Sequence, residues 1–152
     1  MADLDARQYL TFTLGSEEYA LDILAVQEIK GGAAITPVPG TAPWVRGVMN
    51  LRGVIVPVLD LRMKLAIGGD APAADPVIVV VTVQRRPVGL AVDSVCDVVG
   101  LAPSAVQSTP ELIGQVDARL VSGLAVDGER MIVLLDVERL VGDDAAAVPA
   151  VS

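Results

Sequence analysis

The sequence predicts an all-β protein of two small barrel-like lobes packed together, with a few short helices. Three observations carry that prediction. Short apolar runs rich in valine are broken by 14 Gly and 10 Pro, which suits strands and turns better than long helices. The order hairpin, short segment, loop, hairpin, capped turn occurs twice along the chain. Finally, 152 residues with 53% hydrophobic content can bury a real core, although a lobe of about 65 residues is marginal unless it packs on another.

Taken in order, "YLTFTLG" (9–15) alternates Leu10, Phe12 and Leu14 with Tyr9, Thr11 and Thr13, a half-buried strand. "GSEE" is a turn, and "YALDI" (19–23) returns as the second arm of a hairpin. "LAVQEIK" (24–30) is too short for a helix and reads as a turn or strand entry. The prolines of "AAITPVPGTAPW" (33–44) stiffen a loop. "VMNL" and "VIVPVL" form a second hairpin through Arg52-Gly53, where glycine accepts positive φ. Pro57 in the second arm is tolerable where its missing N–H lies on a strand edge. "DLRMKL" (60–65) is a short helix or turn with Asp60 as its N-cap.

The small-residue stretch "AIGGDAPAADP" (66–76) is the best candidate boundary, and beyond it the pattern returns. Leu14 falls on Val83, Ala20 on Gly89, Leu21 on Leu90, Val26 on Val95 and Glu28 on Asp97. After a slightly longer shift, Gly47 falls on Gly123 and Asp60 on Asp136. These matches divide a single domain, 8–141, into lobes of roughly 8–66 with contributions from the C-terminal segment, and 76–141. Residues 1–7 and 142–152 are expected to be loose.

Composition narrows function. A net charge of −8 with 11 scattered Lys and Arg does not supply the basic patch of a nucleic-acid binder. The N-terminus has no signal-peptide pattern, and the longest apolar runs, such as Val77 to Val81, fall well short of the roughly 20 residues of a membrane span. A cytoplasmic protein without direct membrane insertion is expected. Cys96, the one cysteine, sits in apolar "DSVCDVVG" and reads as a buried small residue. Histidine is absent, which removes the commonest general base and metal ligand. The carboxylates Asp60, Asp93, Asp97, Asp127 and Asp136 fall in no protease signature, and Asp60 and Asp136 read as caps. No phosphate-loop pattern is present. No catalytic residue, cofactor or metal is expected.

Two charges stand out, Glu28 in "AVQEI" and Arg52 in "NLRGVIV". Each lies in an apolar segment where an unpartnered charge is costly. They form a structural ion pair, an arginine fork on a carboxylate, or else each points to water alone.

"FTLGSEEYALDILAVQEI", "TPVPGTAPWVRGVMNLRGVIVPVLDLRMKL", "VIVVVTVQRRPVGLAVDSVCDVV" and "LVSGLAVDGERMIVLLDVERLV" together resemble, in order and spacing, the CheW family of bacterial chemotaxis coupling proteins. The resemblance runs from about Tyr9 to Val141. It implies a non-enzymatic adaptor of two SH3-like five-stranded β-barrel subdomains. Such an adaptor joins the cytoplasmic tip of methyl-accepting chemoreceptors to the regulatory domain of the CheA histidine kinase, at membrane-associated arrays. It also implies a receptor helix in the groove between subdomains, at the matching positions Val26, Glu28, Ile29, Gly47, Arg52, Gly53 and Val98. The other readings are an SH3-like interaction module unconnected with receptors and a carboxylate-dependent β-barrel enzyme. The chain's poverty in aromatics, only Tyr9, Phe12, Tyr19 and Trp44, speaks against a peptide groove of the SH3 kind.

Overall fold

Alternating side chains on the strands sort themselves onto two antiparallel-rich sheets in the computed structural model, which describes residues 6–65, 76–107 and 118–142. The first half supplies β1 (Arg7–Leu14), β2 (Glu17–Asp22), β3 (Val26–Gly31), β4 (Val45–Leu51), β5 (Val54–Asp60) and the one-turn helix α1 (Leu61–Lys64). The second supplies β6 (Val77–Val83), β7 (Arg86–Val92), β8 (Ser94–Leu101), β9 (Val106–Gln107), β10 (Val121–Asp127), β11 (Arg130–Leu135) and α2 (Val137–Val141). The expected boundary stretch, except Pro76, lies outside the described residues, as do Met1–Asp5 and 143–152.

The segment 24–30 resolves into a single 3-10 turn, Ile23–Ala25, and then β3. Both helices carry the expected caps. Asp60 Oδ1 accepts the Met63 N–H at 3.2 Å, and Asp136 Oδ1 accepts that of Arg139 at 3.0 Å, each satisfying a donor that the first helical turn leaves open.

The lobes are not successive stretches of chain. One sheet runs β8-β1-β2-β11-β10-β9 and the other β3-β6-β7-β5-β4, so each half of the sequence gives its first hairpin to one sheet and its second to the other. The sequence boundary near 66–76 therefore separates the repeats but not the sheets. The repeat itself is visible in the register. Leu10 lies opposite Val98, and its counterpart Val79 lies opposite Ile29. The parallel pairs correspond too, Ala20 with Leu134 in one sheet and Gly89 with Val58 in the other. Both β4–β5 and β10–β11 slip register at matched places, before Gly47 and before Gly123.

This exchange explains the core. β6 is buried on both faces: Val79, Val81 and Val83 join Leu10, Phe12, Leu14, Tyr19 and Leu21 in one large cluster shared by the sheets. Ile78 and Val80 turn the other way, onto Met49, Leu51, Val56 and Val58 within the five-stranded sheet. The six-stranded sheet has its own cluster of Ala20, Val99, Leu101, Ala125, Ile132 and Leu134. A strand covered on both sides needs the near-continuous apolar run that "VIVVV" supplies.

Two expectations are corrected. Pro57 is buried in β5, an interior strand. It is tolerated where it stands because the ladder to β7 begins one residue later, at Val58. Cys96 is exposed: β8 ends its sheet, so only one of its edges is paired, and apolar neighbours in sequence do not bury every residue of such a strand.

Candidate functional site

The β4–β5 turn sets the site. Arg52 and Gly53 take φ of 50° and 87°, the left-handed pair that matches strand twist in a two-residue hairpin. Asn50 Oδ1 accepts the Gly53 N–H at 2.7 Å and holds the turn. From there the Arg52 guanidinium reaches Glu28 on β3, donating from Nη1 to Oε1 at 3.1 Å and from Nη2 to Oε2. β3 begins this sheet and β4 ends it, so the bidentate pair ties the two ends and curls the sheet into a barrel. The hydrogen bonds from Arg52 hold the Glu28 carboxyl below its ordinary value and push the guanidinium up. The pair lies at the surface, with the Arg52 side chain 63% exposed, rather than drawn into the core.

Gly47 has a different task. Its φ is +144°, and a Cβ there would stand 2.1 Å from the Thr36 carbonyl oxygen. Thr36 and Val48 exchange hydrogen bonds of 2.8 and 2.9 Å, a close approach of the proline-rich loop to β4 that only glycine at 47 permits.

Ile29 and Val98 share a geometry across the two sheets. Ile29 pairs with Val79 and Val98 with Leu10. Cross-strand partners stand on one face, and Val79 and Leu10 both point into the shared core. Ile29 and Val98 therefore face the seam between sheets, yet they are 46% and 49% exposed. Val26 and Val95, paired with Val81 and Phe12, are half-buried against the same core. The seam is filled by that core along most of its length, and its apolar margin is what solvent meets.

Of the seven positions named from sequence, Val26, Glu28 and Ile29 share β3, Gly47 lies on β4, and Arg52 and Gly53 form the adjoining turn. Val98 stands on the other sheet, at the repeat-related position of Ile29. Glu28 lies opposite Val80, which points into the five-stranded sheet's own core. Glu28 and Arg52 thus brace the strand that carries Ile29, while Gly47 admits the proline-rich loop against β4.

Sequence reasoning missed a second closure. Arg130 donates from Nε to Glu18 Oε1 at 3.3 Å, from Nη2 to Glu18 Oε2, and from Nη2 to Asp97 Oδ1 at 3.1 Å. The buried Thr11 hydroxyl donates to Asp97 Oδ1 at 2.6 Å. The Thr11 hydrogen bond, then that from Arg130, hold the Asp97 carboxyl low. The repeat signalled only half of it: Glu28 falls on Asp97, but Arg52 falls on Gly128 and not on Arg130.

Two self-closing β-barrels, joined by a shared core and showing an apolar seam margin, define an interaction module. The CheW-like domain family model matches residues 8–145, and the chain belongs to that family. It is 41% identical to the chemotaxis protein CheW of Klebsiella aerogenes over 93% of this chain and 85% of that one. The corresponding figures for the CheW of Bacillus subtilis are 28%, 92% and 91%. Among solved structures, the scaffolding protein TtCheW of Thermoanaerobacter tengcongensis superposes with a TM-score of 0.86 at 29% identity, covering 96% of this chain and 99% of the other.

Proposed function

We propose that the protein is a non-enzymatic chemotaxis adaptor that couples the cytoplasmic tip of methyl-accepting chemoreceptors to the regulatory domain of the CheA histidine kinase. It meets the membrane through the receptors it serves. Membership of a family whose named relatives are chemotaxis and scaffolding proteins supports this reading. The observation that carries the site is the seam margin, with Ile29 and Val98 exposed beside half-buried Val26 and Val95. A receptor hairpin is a helical rod, and a helix that lays an apolar face into a trough needs this kind of surface with a few polar groups around it. Glu28 and Arg52 hold β3 in place beside the docked helix, Gly53 completes the β4–β5 turn that carries Arg52, and Gly47 seats the proline-rich loop on β4.

The test is co-sedimentation of the whole protein with a receptor cytoplasmic fragment and, separately, with a CheA regulatory domain. Wild type is expected to be retained by both at micromolar concentration. Ile29→Glu and Val98→Glu each put a charge on the seam margin and are expected to weaken receptor binding by about tenfold or more, roughly the effect of losing one buried apolar anchor. Retention by neither partner sinks the adaptor reading. Undiminished receptor binding by both folded variants sinks the seam.

A further inference from the structure

Two glycines among the described residues have no task inside the molecule. Gly31 and Gly100 do not take a positive φ, and a Cβ on either would meet nothing within 4 Å. Every other described glycine either takes a positive φ or stands where a Cβ would approach another group to 2.8 Å or less, as at Gly47, Gly89 and Gly123. Glycine in a strand is otherwise a cost, because it gives up more conformational freedom on folding and brings no side chain to pack.

The two correspond to each other. Gly31 falls on Gly100 by the same shift that lays Glu28 on Asp97, so β3 reads "VQEIKG" (26–31) where β8 reads "VCDVVG" (95–100). Each glycine stands two residues beyond the exposed apolar residue of its strand, Ile29 or Val98, and residues two apart share a face. The register agrees: Gly31 lies opposite Val77, two residues from Val79, and Gly100 opposite Gln8, two residues from Leu10. Both glycines are exposed, and both lie on strands that end their sheets. They therefore continue the seam face past Ile29 and Val98, one on each sheet.

We infer that Gly31 and Gly100 are clearance for the docked receptor helix, which comes down on bare strand backbone at these two positions. The inference rests on the seam reading above and adds which residues set how closely the helix lies. The fold does not ask for either glycine: alanine fits both the space and the backbone, and it would leave the unfolded chain less freedom to lose. A strand glycine of that kind fits a close approach from outside, and the repeat puts it at the same point of both sheets. Ile29 and Val98 supply apolar contact, and the glycines supply depth. An interface core packed as densely as a protein interior has no spare volume for an added methyl.

The test separates binding from folding. Gly31→Ala, Gly100→Ala and the double variant, each as the whole protein, are compared with wild type in co-sedimentation with the receptor cytoplasmic fragment and in thermal melting without it. Melting temperatures are expected to equal or exceed that of wild type. Receptor binding is expected to weaken about tenfold in each single variant, as for a methyl forced into a packed interface, and further in the double. Gly31→Leu and Gly100→Leu are expected to weaken it more than their alanine counterparts. Wild-type binding by the folded alanine and leucine variants, with Ile29→Glu still impaired, overturns the clearance and leaves the seam standing. Melting temperatures well below wild type in the alanine variants would show that the fold itself needs the glycines, which overturns it too. If wild type is not retained by the receptor fragment, the adaptor reading fails and the clearance falls with it.

Discussion

In the five-stranded sheet, β3 meets the β4–β5 turn through Glu28 and Arg52. In the six-stranded sheet, β8 meets the β10–β11 hairpin through Asp97 and Arg130. Glu28 and Asp97 correspond in the repeat, whereas Arg52 falls on Gly128 and Arg130 on Val54, and the two closures are built differently. Arg52 serves one carboxylate and is 63% exposed, whereas Arg130 is 34% exposed and bonds Glu18 as well as Asp97, with Asp127 3.7 Å away. Asp97 is further tied to buried Thr11, whose hydroxyl also accepts the Asp97 N–H at 3.1 Å. One closure is a single pair and the other a network. The sheet secured by the single pair is the one whose strand β3 presents Ile29, so the proposed docking margin lies at the less redundantly held end of a barrel.

The sharpest way to break the comparison is at the matched glycines. In Gly47→Ala the new Cβ would stand 2.1 Å from a backbone oxygen and 2.6 Å from the carbonyl carbon behind it, at φ +144°, so neither space nor backbone permits it. The loss of stability is expected to exceed about 3 kcal/mol, the range of strain at a special backbone position. In Gly123→Ala the nearest atom is the Val106 side-chain Cγ1 at 2.8 Å, with the Gln107 carbonyl at 3.0 Å. A methyl can displace the first, and the cost is expected at about 1–3 kcal/mol, as for ordinary overpacking. Urea denaturation of the two variants checks the order. Equal losses would mean that the proline-rich loop yields as readily as the short strand β9.

Next in size come the closures themselves. Arg130→Ala strands Glu18 and Asp97 together and is expected to lower the melting temperature more than Arg52→Ala, which strands Glu28 alone. Charge reversal sharpens this. The double variant Glu28→Arg with Arg52→Glu is expected to recover most of what either single reversal loses, because beside Arg52 the Glu28 carboxylate meets only the Gln27 side chain and the charge of Lys30 among the described residues. The corresponding swap of Asp97 and Arg130 is expected to recover little, since an arginine at 97 faces Thr11 and a glutamate at 130 faces Glu18. Non-additivity of this kind is what a double-mutant cycle measures. Equal rescue in both sheets would remove the distinction.

Much of this was legible in the sequence, and the boundary of legibility is physical. The hairpins, the caps at Asp60 and Asp136 and the strand nature of "VIVVV" follow from local rules of alternation, capping and turn chemistry. Glu28 and Arg52 were legible because a charge in an apolar strand asks for a partner. Alternation fixes which face of a strand is buried but not which sheet the strand joins, and so the exchange of hairpins between sheets was hidden. Arg130 was hidden for a related reason: its partners sit on β2 and β8, which only that exchange brings beside it. Cys96 misled because residues on an edge strand can be exposed amid valines.

The smallest effect separates the closures by pH. Glu28 and Asp97 both titrate below the ordinary 4.5 of a glutamate and 3.8 of an aspartate. With the folded value depressed, the unfolded chain takes up protons first on acidification. Each group therefore stabilises the fold fully above its unfolded value and loses that contribution as pH falls through its folded one. Stability is expected to be level near neutrality and to decline below about pH 4.5. Asp97 is exposed and Glu28 partly so, so added salt is expected to shrink the decline. Glu28→Gln removes one donor-bound carboxylate without disturbing another and is expected to make the acid limb shallower. In Asp97→Asn, Glu18 keeps its hold on Arg130, so the limb is expected to flatten less than loss of the Thr11 and Arg130 bonds alone would suggest. Urea midpoints measured from about pH 3 to 7 decide the matter, and acid limbs parallel to wild type in both variants would show that neither closure carries the decline.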